Sequence, residues 1–184
     1  MMNTNEPQQI QQTKNWLNNF IIHHNICPFA KRVYDNNSID FQLIISDDVE
    51  SCLLEVIDQL VKLTSNNQIE TTLLIFSNVL ADFDDYLEFL AIANQLIEDH
   101  DFNKQFQLAS FHPEYCFEGE PEDDPANYTN RSPLPMLHII RQKSIETALT
   151  FHDHPEEIPE TNIKLTRELG EKYLRELRER YIKN

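Results

Sequence analysis

The side chains that could do chemistry in this 184-residue chain crowd into one stretch. His112 precedes Pro113, and a histidine there, with an ordinary pKa near neutrality, can take or give a proton at physiological pH. Asp124 carries the charge to orient such a ring. Arg131 is flanked by neutral donors, Asn127, Thr129, Asn130 and Ser132. A planar guanidinium in that company suits a carboxylate or phosphate held through two parallel hydrogen bonds. These five are the expected substrate-binding residues, with His112 and Asp124 as catalytic candidates and a small anionic metabolite as ligand. Structural roles stay open for both: His112 could bond the loop backbone, and Arg131 could pair with Asp123 or Asp124 and staple the loop. Cys27 is the third catalytic candidate. Lys31 and Arg32 follow it closely, and nearby cations lower a thiol's pKa. The alternative is a small buried residue packed against Phe29.

Most of these residues share one loop, roughly Pro113 to Pro135. It holds five prolines between the apolar runs that flank it, and it has no apolar periodicity. A connection that long inside a compact domain usually belongs to a binding or catalytic surface. Tyr115, Phe117 and Tyr128, interleaved with the prolines, argue for order.

The elements around the loop follow from periodicity. Helical spacing covers about 8–25, ended by Cys27-Pro28. Ile39, Phe41, Leu43 and Ile45 alternate as a strand. Ser46, with Asp47, Asp48 and Glu50 behind it, opens a helix whose stripe is Val49, Cys52, Leu53, Val56, Ile57 and Leu60. Residues 71–77 form a continuous apolar run, as in a strand covered on both faces. A second acid-capped helix spans about 82–100. Strands at 106–112 and 135–141 bracket the loop, a short helix covers 144–152, and the last helix runs about 161–181. Gly170 lies inside that last stripe and marks a break or a close contact. Basic residues concentrate here and alternate with glutamates, the pattern of helix ion pairs.

This order predicts one α/β layered domain over the whole chain. Its four-stranded sheet is mostly parallel or mixed, is flanked by helices, and carries the long ordered loop before its last strand. Ser46-Asp47, Ser77-Asn78 and His112 with Glu114 would then share the rim at the strands' carboxyl ends, where ligands of open α/β sheets gather. His138, within an apolar strand, reads as a core histidine.

Composition excludes several classes. Thirty-one Asp and Glu against 15 Lys and Arg give a formal charge of −16, which repels nucleic acid and anionic membrane surfaces. No apolar run is long enough to span a membrane, and the N-terminus lacks signal-peptide features, so a cytoplasmic protein is expected. Three cysteines without CxxC spacing argue against a disulfide framework or structural zinc. With only two glycines, neither a phosphate-binding Walker loop nor a dinucleotide fingerprint can be built. His152 and His154, near Glu156 and Glu157, could form a weak surface metal site, but no spacing is diagnostic. The sequence names no cofactor.

Five segments in order, Asn25–Arg32, Glu70–Ile75, Ser110–Tyr115, Asn127–Arg141 and Ile158–Ile163, resemble the bacterial family known as domain of unknown function 1415. The resemblance implies a small, single-domain, soluble bacterial protein and carries over no catalytic residues. Three functions compete: a site in the loop 112–132 for a phosphorylated or carboxylated metabolite, with possible catalysis; a non-catalytic module that binds a protein partner; and a thiol-dependent oxidoreductase using Cys27.

Overall fold

The computed structural model describes residues 6–183; Met1–Asn5, which the signal-peptide reading includes, and Asn184 lie outside them. Helix α1 (Gln8–Trp16) runs into a π-helical turn, Leu17–Ile22, and α2 (Ala30–Asp35) follows. Then come β1 (Ile39–Ile44), α3 (Val49–Ser65), β2 (Thr71–Phe76), α4 (Phe83–Asp99), β3 (Phe106–Phe111) and β4 (Met136–Arg141). Helices α5 (Gln142–Leu149), α6 (Ile158–Leu169) and α7 (Glu171–Lys183) close the chain. The sheet order is β1-β2-β4-β3, with β1 and β2 parallel and both β4 pairings antiparallel.

The sheet is therefore mixed. β1, β2 and β3 all point one way, as two successive β-α-β units lead one to expect. β4 is inserted between β2 and β3, so those two do not pair. The last helix is broken where Gly170 takes φ +81°, a left-handed conformation that glycine adopts without penalty.

Local chemistry fixes the α3/α4 layer. Asp48 caps α3 by accepting from the Ser51 N–H (2.8 Å), and Asp82 caps α4 through the Asp84 and Asp85 N–H groups. At the far end of α3, Arg141 donates to the carbonyls of Leu63 in the last turn, Asn66 at the C-cap and Ile69 just beyond, tying the helix end to β4. All six residues of β2 are buried. Leu74 and Phe76 point into the core beneath α3 and α4, with Val56, Leu60, Phe89 and Leu137; Ile75 points to the opposite face, with Trp16, Phe20, Met136 and Leu177. The continuous apolar run of β2 thus serves two cores.

Tyr86 locks the rim. Its hydroxyl donates to the Met136 carbonyl (2.7 Å) and accepts from the Phe111 N–H (3.1 Å), tying α4 to the end of β3 and the start of β4. The loop 112–135 leaves and returns at that point.

Candidate functional site: a cavity on the second face of the sheet

The loop uses its polar groups on itself and on the segments packed against it. His112 is fully buried, with its Nε2 at 3.0 Å from the Leu80 carbonyl and its Nδ1 accepting from the Glu114 N–H. Leu80 takes φ +64°, a costly conformation for a leucine. Burial pushes the His112 pKa down. Asp124 caps the 3₁₀ turn Pro125–Thr129 through the Ala126 N–H and pairs with Arg167 (2.8 Å), which holds its carboxyl below the usual range. Its partners are these, not His112.

Arg131 donates through Nε to the Tyr115 carbonyl and through Nη2 to the Glu122 carbonyl, and stacks over the Tyr128 ring. Asn127 is fully buried; it accepts from the Phe117 N–H and donates to the Pro121 and Glu122 carbonyls. Ser132 donates to the Leu134 carbonyl, Thr129 to that of Ala126, and Asn130 to that of Ser110. Arg131 does staple the loop, but to backbone carbonyls and not to Asp123 or Asp124.

A hollow lies elsewhere in the molecule. A cavity of about 680 Å³ opens between the second face of the sheet and a shell made by the end of α1, α2, α5, α6 and the loop. Trp16, Ile21, Leu73, Phe111, Phe117, Ile140 and Ile163 make its wall largely apolar. Arg32, Glu118 and Glu120, all exposed, mark where it meets solvent. Arg32 lies 3.6 Å from Glu70, the fourth charged wall residue. The size and the mostly apolar lining, with a few convergent polar groups, are those of a small-molecule site.

His138 is the principal polar group on the sheet side. Its Nε2 is 2.6 Å from Thr71 Oγ1, which also lies 2.5 Å from the Ile139 carbonyl. With the hydroxyl proton given to that carbonyl, Nε2 carries the ring proton and donates to Oγ1, a tautomer inferred from the hydrogen-bond network. Nδ1 is then an acceptor without a partner among the described residues. His138 sits deep in the fold yet keeps accessible surface, because it borders the cavity. Burial lowers its pKa to about 4, so the imidazole is neutral at physiological pH.

Cys27 lies on the shell side. Burial pushes its thiol up, against the N–H groups of Phe29 and Ala30, which act in the opposite sense. The cations expected to activate it are engaged elsewhere: Lys31 pairs with Asp35 at 2.6 Å and Arg32 lies by Glu70.

Of the eight residues the sequence singles out, Cys27, Thr129 and Asn130 line this cavity; His112, Asp124, Asn127, Arg131 and Ser132 do not. The wall residues missed are Thr71 and His138. Strand alternation carries the signal for them, since His138 shares its face with Met136 and Ile140. On the surface, His154, Glu156 and Glu157 bring one ligand atom each within 4.8 Å of the others, all exposed. Among the described residues, no helix is long and apolar enough to cross a membrane.

A family model described as a protein of unknown function, DUF1415, matches residues 8–176. The chain belongs to the DUF1415 family. No curated protein and no solved structure matches it. Each of the five segments that carry the DUF1415 resemblance contributes to the cavity wall: Cys27 and Phe29, Thr71 and Leu73, Phe111, His138 and Ile140, and Asn162 and Ile163. Residues up to 136 positions apart meet there, as where Asn162 donates to the Ile26 carbonyl.

Proposed function

We propose that this protein binds a small, largely apolar molecule carrying one hydroxyl or amide N–H, seated in the cavity with that donor on His138 Nδ1. The observation that carries this reading is a neutral imidazole with an unpartnered acceptor nitrogen, set in an otherwise apolar cavity of about 680 Å³. A hydrogen bond from a ligand donor to that nitrogen is worth about 0.5–1.5 kcal/mol. Thr71 fixes the ring orientation, Thr129 and Asn130 supply the polar part of the opposite wall, and the neutral Cys27 thiol adds a soft, weakly polar contact.

A metabolite site in the loop 112–132 draws less support, because the ring of His112 and two nitrogens of Arg131 are already bonded to backbone. The oxidoreductase reading suffers from a raised thiol pKa, and Cys52, a possible second thiol, lies in the core on the other face of the sheet.

Trp16 is the chain's single tryptophan and lines the cavity, so its emission reports occupancy. Titration with 1-octanol should change Trp16 fluorescence saturably, and its methyl ether, which lacks the donor, should bind more weakly. His138→Leu should weaken octanol binding about 2–10-fold, the worth of one neutral hydrogen bond, and leave the ether unchanged. Ala30→Phe, which fills the cavity, should abolish both. Emission indifferent to either compound, or equal affinities in wild type and His138→Leu, would sink the reading.

A further inference from the structure

Arg178 stands out on α7. Its Nε is buried without a hydrogen-bond partner, and no ion pair or hydrogen bond involves its guanidinium among the described residues. Neighbouring residues on the same helix behave as the sequence pattern predicts, Arg175 pairing with Glu171 (3.0 Å) and Lys183 with Glu179 (2.8 Å). In a chain whose Asp and Glu outnumber Lys and Arg by 31 to 15, a half-buried arginine without a carboxylate is unexpected. Buried charges are normally paired, because their desolvation otherwise goes uncompensated.

The surroundings explain what could pair with it. Tyr128, Tyr181, Glu114 and a second cation, Arg131, are the charged or polar groups that act on Arg178. Arg131 has Nε and Nη2 engaged by loop carbonyls, which fixes its plane over Tyr128 and leaves Nη1 without a partner among the described residues. Tyr128, under Arg131, packs in one core cluster with Leu174, Leu177 and Tyr181, the neighbours of Arg178 on α7, so the two guanidiniums flank the same packing of turn and helix, and among the described residues no ion pair joins Glu114 to either. Like charges brought together in a partly desolvated setting are stabilised by an anion between them.

We propose that Arg178 and Arg131, with the Tyr128 phenol, form a binding site for an oxyanion, the phosphate or carboxylate group of a small molecule, on the side of the loop that faces α7. The site is separate from the cavity, and its existence does not depend on the cavity reading. The 3₁₀ turn divides the two: Ala126 and Thr129 line the cavity, while Tyr128 lies under Arg131. Burial lowers the pKa of Arg178, in keeping with a guanidinium that lacks its counter-ion.

Thermal unfolding in sodium phosphate and in sodium acetate, each against sodium chloride at matched ionic strength, tests this. The expected result is a saturable rise of the midpoint, on the order of 3 °C, with one or both anions and none with chloride. Whichever anion acts names the group recognised. Arg178→Met should abolish the response. Glu114→Gln, which removes the competing carboxylate, should tighten the binding of that anion several-fold and keeps the test decisive if the arginine variant fails to fold. No response beyond chloride, a response retained in Arg178→Met, or an affinity unmoved by Glu114→Gln would each overturn the proposal.

Discussion

The loop 112–135 and the sheet face around His138 use polar side chains in opposite ways. The loop is dense in groups that could hold a ligand, and nearly all of them are bonded to backbone, most of it the loop's own: both ring nitrogens of His112 (one of them at the Leu80 carbonyl), both ends of Asn127, two nitrogens of Arg131. The sheet face has few polar groups and leaves a nitrogen of one of them open to a cavity. A long irregular segment must find partners for its backbone amides and carbonyls, and side chains are the nearest source. Richness in functional residue types therefore marked the part of the chain that needed internal hydrogen bonds. Capacity left over, at His138 and at Arg178, is where both proposals place a ligand.

The sharpest way to break this comparison sets the filled face of β2 against its hollow face. Leu74 is closely packed under α3 and α4, and Leu73 borders the cavity, although both are buried. Leu74→Ala should cost about 3–5 kcal/mol in urea unfolding, and Leu73→Ala less, about 1–2 kcal/mol, because it enlarges an existing void whose lining already lacks partners. Equal costs would mean that the second face is filled in solution.

Next in size is pH. His138 has a folded pKa near 4, below the unfolded value of about 6.5. The folded state therefore binds fewer protons between those values. The stability this group contributes is present above about pH 6.5 and is lost as pH falls towards 4, by on the order of 3 kcal/mol at most. His138→Leu should flatten that part of the stability curve; an unchanged slope would place the ring in water.

Asn127→Ala should cost about 2–3 kcal/mol, since it removes a fully buried side chain that joins the Phe117 N–H to the Pro121 and Glu122 carbonyls. Arg131→Ala should cost about 1 kcal/mol, because its side chain is only partly buried and its Glu122 carbonyl keeps Asn127 as a partner. A loop indifferent to both changes would not be saturated in the way described.

Much of the frame was legible in the sequence. The stripe from Cys52 to Leu60, the cap at Asp82 and the two-sided burial of residues 71–76 followed from spacing and residue type, which act locally; the cap of α3 falls on Asp48 and not on Ser46, so that Val49, in the first turn, is exposed. The position of β4 did not, because an apolar strand carries no mark of which neighbour it will join. His138 was read as a core histidine for a related reason. Whether the face it points to is filled or hollow depends on five separated segments, and no single segment contains that volume. Arg178 was hidden inside a run of alternating charges where its neighbours do pair along the helix. Its own partner would have to come from across the fold, which helical spacing cannot reveal.

The π-helical turn at Leu17–Ile22 carries a consequence for how this chain can change. Such a turn holds one residue more than an α-helix needs for the same advance. Removing one residue from it, Asn18 for example, would let the helix relax to α geometry while the elements on either side keep their phase. Trp16 would stay on the cavity wall and Thr13 beside Met136, with Ile21 and Ile26 in place. A residue removed from the regular part of α1, which holds no such surplus, would instead turn everything upstream by about 100° about the helix axis.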